Sequence, residues 1–275
     1  MSKDSVGRKQ TSRNEDWVSL WETCTEQISI EHMLELERKT ILQARSFIQG
    51  NGYKRMAYGY SGGKDSVALR HLLGKAQIPI AGVFCALHHN EYPAFLEWLH
   101  KNAPKETEFI QLKRLSLEEI NENENYLFPT GKKERDYYTA QWREAEADFV
   151  IKNGIDLVFA GRRIADGNTC GKRDSYGVLT SRNKVVTSCN VIGMWTHSEL
   201  LAYIKYNQLE LPPIYDYPNG WVYGTHPWTE RDRVNNSIFE TFDEIMTIDP
   251  NIVNEAAKTL NIAKQYLKAR KEYAD

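Results

Sequence analysis

The chain has 275 residues, 35 basic and 37 acidic side chains and a formal net charge of −2. This balance excludes the strong uniform field that draws very basic proteins to nucleic acid or anionic membranes. No apolar run approaches the ~18 residues of a membrane span, and the first residues lack the apolar core of a signal peptide. Four scattered cysteines without a CxxC pair (Cys24, Cys85, Cys170, Cys189) indicate reduced thiols and a cytoplasmic protein.

Strand and helix patterns alternate along most of the chain. After a polar arm over 1–16, apolar spacing predicts an N-terminal helix over 30–50, a buried strand over 56–60 and a helix that opens near Asp65. Further strands are predicted at 80–87, 108–112, 156–160 and 185–192, with helices at 93–101, 134–153 and after Thr196. This alternation predicts an α/β fold with a parallel, Rossmann-like sheet of five strands flanked by helices, plus N-terminal and C-terminal helical extensions.

Three segments are expected to be irregular. Residues 113–133 are charged and loop-rich, and residues 164–184, which hold several glycines and basic residues, are predicted to form a mobile loop. Residues 215–228 combine aromatic side chains with Gly and Pro. Those aromatics could stack on a base, wall off a substrate pocket or anchor the loop to the core, and the sequence leaves these interpretations open. Two helices, at about 235–247 and 250–272, finish the chain.

The most informative stretch is Ser61–Ser66, S-G-G-K-D-S, between the first strand and its helix. N–H groups at a helix start have no intrahelical partner, and the macrodipole makes that end positive, so such a junction binds anions. Gly62 and Gly63 let the backbone approach a phosphate closely, and Lys64 adds a mobile positive charge. Asp65 could accept from the backbone or hold Mg²⁺. The spacing differs from a Walker A loop, in which Ser or Thr follows the lysine.

Two other predicted strand ends carry polar groups, and ligands of parallel α/β sheets bind beyond such ends. Gly161-Arg162-Arg163 follows the fourth strand, where an arginine could bind phosphate oxygens in fork geometry or simply be surface charge. His88-His89-Asn90 follows the second strand. A histidine there could contact the ligand, act as an acid–base group or be an ordinary polar strand end.

The six residues Ser61–Ser66 resemble the SGGxDS pyrophosphate loop of the PP-loop ATP pyrophosphatases at every position. That superfamily includes ATP sulfurylase small subunits, phosphoadenosine phosphosulfate reductases, thiolating enzymes and amide-forming synthetases. Gly161-Arg162-Arg163, followed by Lys172 and Arg173, is similar to the Gly-x-Arg segment and basic loop of its sulfonucleotide branch. The stretches 195–204 and 211–216 are also similar, so the resemblance covers roughly residues 53–217.

The resemblance implies an enzyme that binds ATP, or a related adenine nucleotide, with Mg²⁺ and cleaves between the α and β phosphates. An acceptor would be adenylated while pyrophosphate leaves in the loop. The nucleotide-binding residues implied are Ser61, Gly62, Gly63, Lys64, Asp65, Ser66, His88 and Gly161; the catalytic ones are Lys64, Arg162 and Arg163, and Asp65 is the metal ligand. The predicted domains are an arm over 1–16, a nucleotide-binding α/β domain over 17–234 with its core at 53–217, and a helical extension over 235–275.

Other functions stay open. A sulfonucleotide reductase or sulfonucleotide-binding enzyme would use the same groove, but the reductases' C-terminal nucleophilic cysteine has no counterpart after Cys189, which leaves Cys170 in the basic loop. A non-catalytic nucleotide-binding subunit would bind ATP without releasing pyrophosphate. A basic cluster, Lys132, Lys133 and Arg135, could touch nucleic-acid phosphate, although such charge is usually solvated.

Smaller questions also stay open. Asp166 and Asp174 could assist a metal or be solvated loop acids. The sequence identifies neither the acceptor nor a homo-oligomer or partner subunit.

Overall fold

A computed structural model of the chain describes residues 16–89, 91–113, 115–127, 132–167, 176–181, 184–217, 219–223, 227–228 and 237–272. The chain divides into two compact units. The first comprises residues 1–85, 103–108 and 147–211, and the second comprises residues 86–102, 109–146 and 212–275. The predicted domains over 17–234 and 235–275 stay a prediction.

The sheet contains six strands in the order β3-β2-β1-β4-β6-β5. In chain order they are β1 (Met56–Gly59), β2 (Ile80–Leu87), β3 (Thr107–Gln111), β4 (Leu157–Phe159), β5 (Tyr176–Ser181) and β6 (Lys184–Cys189). The predicted five-stranded parallel sheet is confirmed. The additional strand is β5, which pairs antiparallel with β6. It lies within residues 164–184, so the prediction of a mobile loop over that range is corrected. An edge strand is held by main-chain hydrogen bonds to one neighbour, so its sequence need not be strongly apolar.

The strand order creates a switch point between β1 and β4. From β1, strands β2 and β3 extend the sheet in one direction, and strands β4 and β6 then extend it in the opposite direction. The parallel register of β1 and β4 aligns Tyr58 with Phe159, so the residues that follow both strands leave the sheet side by side. Open α/β sheets bind ligands at this position.

The helices in chain order are α1 (Trp17–Gln27), α2 (Ile30–Asn51), α3 (Lys64–Lys75), α4 (Pro93–Asn102), α5 (Leu117–Glu122), α6 (Lys132–Asn153), α7 (His197–Tyr206), α8 (Gly220–Tyr223), α9 (Ile238–Ile248), α10 (Pro250–Ala256) and α11 (Asn261–Glu272). The helix predicted over 30–50 corresponds to α2, which ends at Asn51 and is followed by Gly52 with φ +68°. Among the described residues, no helix is both long and apolar enough to cross a membrane.

Two predictions about local structure are corrected. The segment 113–133 contains α5, whose start is capped by Ser116 Oγ accepting from the Glu119 N–H. The helix predicted over 250–272 is two helices, α10 and α11. Periodicity suggested one helix because buried residues continue at helical spacing across the break, from Ile252 and Val253 to Leu260.

The first unit holds most of the sheet together with α1, α2, α3 and α7. All three residues of β4 are buried, as expected for a central strand covered on both faces. Separate caps start α1 and α2: Asp16 accepts from the Ser19 N–H, and Ser29 from the His32 N–H. Because each segment has its own N-cap, the N-terminal helical pattern forms two separate helices.

The second unit contains α4, α5 and α8–α11, together with part of the aromatic segment 215–228. Tyr215 and Trp228 are buried. The rings of Tyr215 and Trp221 lie 4.6 Å apart, and Trp228 meets Phe242 edge-on at 6.3 Å. The described aromatics of this segment therefore support the interpretation as anchors to the core. Residues 218 and 224–226 lie outside the described part of the chain.

Candidate functional site

The six-residue loop lies at the switch point, between the end of β1 and the first turn of α3. Gly62 has φ +72°, in the left-handed region that favours glycine. Gly63 takes the N-cap position of α3 in an extended conformation and has no side chain with which to cap it. The first-turn N–H groups and the positive end of the helix dipole therefore depend on something other than an N-cap side chain.

Two serine hydroxyls brace this loop from within. Ser66 Oγ donates to the Gly63 carbonyl at 2.9 Å, and Ser61 Oγ donates to Ser66 Oγ at 3.3 Å. The Gly63 N–H points to Ser61 Oγ at 3.4 Å. The loop thus holds its shape through short-range bonds that its own sequence supplies.

Gly161, directly beyond β4, approaches the start of α3 closely. A Cβ atom at this position would lie 3.0 Å from the backbone carbon of Asp65 and 3.1 Å from its carbonyl oxygen. Glycine is therefore the residue that lets the segment after β4 approach the start of α3 at this distance.

Asp65 joins two cations at this junction. Its Oδ2 accepts from Lys64 Nζ at 2.9 Å, and its Oδ1 accepts from Arg163 Nε at 2.7 Å. Burial would raise the pKa of Asp65, but the charges and hydrogen bonds of Lys64 and Arg163 outweigh it and hold that pKa at about 2. The carboxylate is consequently ionised throughout the physiological range.

Arg163 is 0% exposed, and all five of its N–H donors are used within the protein. Nε binds Asp65; Nη1 donates to the carbonyls of Trp195 and Thr196 at 3.3 and 3.0 Å; Nη2 donates to Asp166 Oδ1 at 2.8 Å and to His197 Nδ1 at 3.2 Å. The guanidinium therefore ties the start of α3 to the start of α7. Its neighbour Arg162 is exposed.

His197, the first residue of α7, is held neutral. Arginine can only donate, so His197 Nδ1 must be the acceptor in its contact with Arg163. Burial and the positive charges of Arg163 and Lys64 lower the pKa of His197 to about 4. A neutral ring therefore lies beside the buried guanidinium at neutral pH.

Trp17, the first residue of α1, lies against Lys64 and against His197. Lys64 Nζ is 5.2 Å from the centroid of its ring, and the His197 ring meets it edge-on at 4.6 Å. The sequence prediction of the site missed Trp17 and His197. His197 stands within the 195–204 stretch that carries part of the family resemblance, which was an available signal, whereas no local pattern connects Trp17 to Lys64.

Comparison with known proteins identifies the family. A family model described as the phosphoadenosine phosphosulfate reductase domain matches residues 55–220, more than half of the chain. The chain belongs to this family. The predicted resemblance is thus confirmed. A comparison with curated proteins gives no match.

Several solved structures resemble this member of the phosphoadenosine phosphosulfate reductase domain family. A phosphoadenylyl-sulfate reductase from Candida auris, in a phosphate complex, is 15% identical with a TM-score of 0.48, over 69% of this chain and 92% of that one. An FMN adenylyltransferase from Candida glabrata is 13% identical with a TM-score of 0.48, over 73% and 69%. The U34-tRNA thiolase NcsA from Methanococcus maripaludis is 15% identical with a TM-score of 0.45, over 85% and 78%.

The remaining predicted site residues are placed as follows. His88 lies in the second unit, where its Nε2 accepts from the Trp142 indole N–H at 3.2 Å. His89 Nε2 is buried and has no hydrogen-bond partner among the described residues. Asp166 is ion-paired with Arg163. Asn90, Cys170, Lys172, Arg173 and Asp174 lie outside the described residues.

No group of three or more His, Cys, Asp or Glu side chains is arranged to hold a metal ion in the part of the chain that the structure describes. Asp65 as a magnesium ligand stays a prediction. Each of its oxygens already accepts from a cation and keeps one further lone pair.

The described thiols do not resemble nucleophiles. Cys24, Cys85 and Cys189 are buried, and within the described residues none of them forms a disulfide. Burial raises the pKa of the Cys24 and Cys189 thiols, which disfavours the reactive thiolate.

In the basic cluster, Lys132 is exposed and ion-paired with Asp136.

Proposed function

We propose that this family member is a PP-loop enzyme that binds ATP and cleaves it between the α and β phosphates. An acceptor oxygen attacks the α-phosphorus, the bond from that phosphorus to the bridging oxygen breaks, and pyrophosphate leaves with the electron pair. The products are an adenylated acceptor and pyrophosphate. The observation that carries the proposal is the start of α3, which has no capping side chain and lies at the switch point with Lys64 in its first turn.

The loop suits the leaving pyrophosphate in charge and in shape. Backbone N–H groups over 62–66 and the positive end of α3 would stabilise the charge that develops on the leaving group. Gly62 adopts the left-handed conformation, and it has no Cβ atom that would obstruct the approach of a phosphate to its backbone. Positioning and charge neutralisation, rather than covalent catalysis, are the main contributions to phosphoryl chemistry of this kind.

The two adjacent arginines divide the work in this proposal. Arg163 spends its five donors on protein groups, so we assign it as a positioning residue that orients Asp65 and the start of α7. Arg162 is exposed on the same segment. We therefore assign the contact with the α-phosphoryl oxygens to Arg162.

Magnesium belongs to the substrate in this proposal, since ATP reacts as its magnesium complex. The ion would bridge phosphate oxygens and neutralise part of their charge. Asp65 would meet it with the lone pairs that Lys64 and Arg163 leave unused.

Lys64→Ala tests the proposal. We expect the variant to lose pyrophosphate affinity by about 100-fold or more, measured by calorimetry, because a charge-assisted contact in a partly desolvated site disappears. We also expect it to release no pyrophosphate from ATP, Mg²⁺ and a panel of acceptors screened for AMP-linked products by mass spectrometry. Lys39→Ala, at an exposed position on α2, is the matched control. Unchanged affinity and turnover in Lys64→Ala would refute the assignment.

A second candidate function is the binding of a sulfonucleotide, and the description of the matching family model favours it. Affinities for ATP and for adenosine phosphosulfate, measured side by side, separate the two. Loss of thioredoxin-dependent activity in Cys170→Ser would favour a reductase. Nucleotide binding without pyrophosphate release for any acceptor would instead indicate a non-catalytic subunit.

A further inference from the structure

Lys64 and four other side chains form a closed ring of contacts. Each member touches the next: Lys64 Nζ to Asp65 Oδ2 at 2.9 Å, Asp65 Oδ1 to Arg163 Nε at 2.7 Å, Arg163 Nη2 to His197 Nδ1 at 3.2 Å, His197 to Trp17 with ring centroids 4.6 Å apart, and the Trp17 centroid back to Lys64 Nζ at 5.2 Å. The ring joins the first residue of α1 to the first turn of α3.

We propose that Trp17 is a positioning residue for Lys64, so that pyrophosphate binding in the loop is coupled to the docking of α1. This inference rests on the proposed function, because it takes Lys64 as the phosphate-binding lysine. It adds a residue from outside the loop, and from outside residues 55–220, to the machinery of the site.

The burial of both groups gives the contact its strength. Lys64 is 8% exposed and Trp17 is 4% exposed. A cation over an indole face gains most when both are desolvated. A lysine side chain otherwise loses much of its rotamer freedom when it is fixed. Holding the ammonium between the Asp65 carboxylate and the Trp17 face removes part of that loss before the phosphate arrives.

The indole is itself held by a well-anchored helix. Ser198 Oγ donates to Gln27 Oε1 at 2.8 Å, and Tyr206 OH lies 2.8 Å from the Ile28 carbonyl, so α7 binds the far end of α1. The edge-on contact with His197 fixes the near end. A side chain on such a rigid element can position another one accurately.

The same helix provides a matched control. Trp21 lies one turn along α1, and Lys205 Nζ is 4.8 Å from the centroid of its ring. Lys205 is in the last turn of α7, at the opposite end of that helix from His197. Trp21 therefore repeats the chemistry of Trp17 without contributing to the ring around Lys64.

The experiment is calorimetric titration of pyrophosphate into the full chain and its variants. We expect Trp17→Leu to weaken binding by between about 3-fold and 30-fold, and Trp17→Phe to restore affinity to within about threefold of the original, because phenylalanine keeps an aromatic face. Trp21→Leu should change affinity by less than about twofold. In a Lys64→Ala background, Trp17→Leu should have no further effect, since coupled residues are not additive.

The outcomes separate this inference from the proposed function. Unchanged affinity in Lys64→Ala overturns both. Loss in Lys64→Ala with unchanged affinity in Trp17→Leu overturns the inference alone, as does an equal effect of Trp17→Leu with and without Lys64. Linkage also requires the reverse effect: at pyrophosphate concentrations that saturate both proteins, pyrophosphate should slow amide exchange in α1 of the original chain but not of Trp17→Leu. Equal slowing in both would contradict the coupling.

Discussion

Two helices begin beside Arg163, and their first turns are completed in opposite ways. At the start of α7, Thr196 Oγ1 accepts from the Glu199 N–H at 3.2 Å, and Glu199 Oε2 accepts from the Thr196 N–H at 2.7 Å. This reciprocal capping box satisfies donors with the chain's own side chains. At the start of α3, Gly63 offers no side chain. One positive helix end is capped by the chain's own side chains, and the other has no capping side chain.

The difference separates the helix that supports the site, α7, from the helix that is proposed to bind the anion, α3. The capped α7 is a fixed platform: Arg163 donates to the two carbonyls that precede it and carries Asp65 on its remaining edge. The uncapped α3 lacks a local stabilising contact, and in the proposed function its N–H groups bind an anion. Loss of some stability at a functional site is a common exchange in proteins.

Closing α3 with a side chain should have the largest effect on this comparison. The N-cap geometry at Gly63, φ −71° and ψ 160°, is one that Asp adopts readily. We expect Gly63→Asp to raise the free energy of unfolding by up to about 1 kcal/mol, through capping and a less flexible unfolded chain. A carboxylate in the anion's place should lower pyrophosphate affinity on the order of a thousandfold. Urea unfolding and calorimetry measure the two effects.

Gly74→Asp is the control for this experiment, because it makes the same charge change near the other end of α3, where a Cβ atom meets nothing within 4 Å. It should leave pyrophosphate affinity nearly unchanged. If Gly63→Asp gains stability and still binds pyrophosphate normally, the start of α3 is not the anion site.

Several local features of the site could be predicted from the sequence. The strand, the glycines and the helix start of the loop lie within one short stretch, and the Thr196–Glu199 capping spacing also lies within one turn. Strand β5 escaped prediction because edge pairing places few demands on composition.

The arrangement of the site depends on contacts between distant segments. The sequence identified Arg163 as a candidate site residue. Its N–H groups donate to residues on three other elements or turns, so its buried, positioning geometry could not be inferred from a Gly-Arg-Arg pattern. Trp17 reaches Lys64 only after α1 docks on α7. Periodicity identifies which face of a helix is buried, not which side chain will lie beneath it.

An effect of intermediate size is expected from His197 at the start of α7, which should make the free energy of unfolding depend on pH. The pKa of His197 falls from its ordinary 6.5 to about 4 through burial and the charges of Arg163 and Lys64. Between about pH 6.5 and pH 4 the unfolded chain therefore binds more protons than the folded chain, so stability falls as the pH decreases through this window. The total loss is on the order of 3 kcal/mol. More than about one pH unit above 6.5, this group contributes no slope.

Urea unfolding at pH 7, 5.5 and 4.5 measures this dependence as the difference between the original chain and His197→Gln, which should lack this part of the slope. Asp65 does not interfere, because its pKa of about 2 confines its effect to pH values below about 4. His100→Gln, at an exposed position on α4, controls for the loss of a histidine. Parallel slopes in the original chain and His197→Gln would mean that His197 is not held neutral by its surroundings.

Opening the closed helix start should have the smallest effect. Thr196→Ala removes the hydroxyl that accepts from the Glu199 N–H but keeps the carbonyl that binds Arg163. We expect a loss of about 1 kcal/mol in the free energy of unfolding, with Thr196→Ser close to the original. Pyrophosphate affinity should change by less than about twofold, because the cap supports α7 and is not needed by the anion. A fivefold loss of affinity at unchanged stability would instead place the start of α7 in the binding site, and the contrast between the two helix ends would no longer hold.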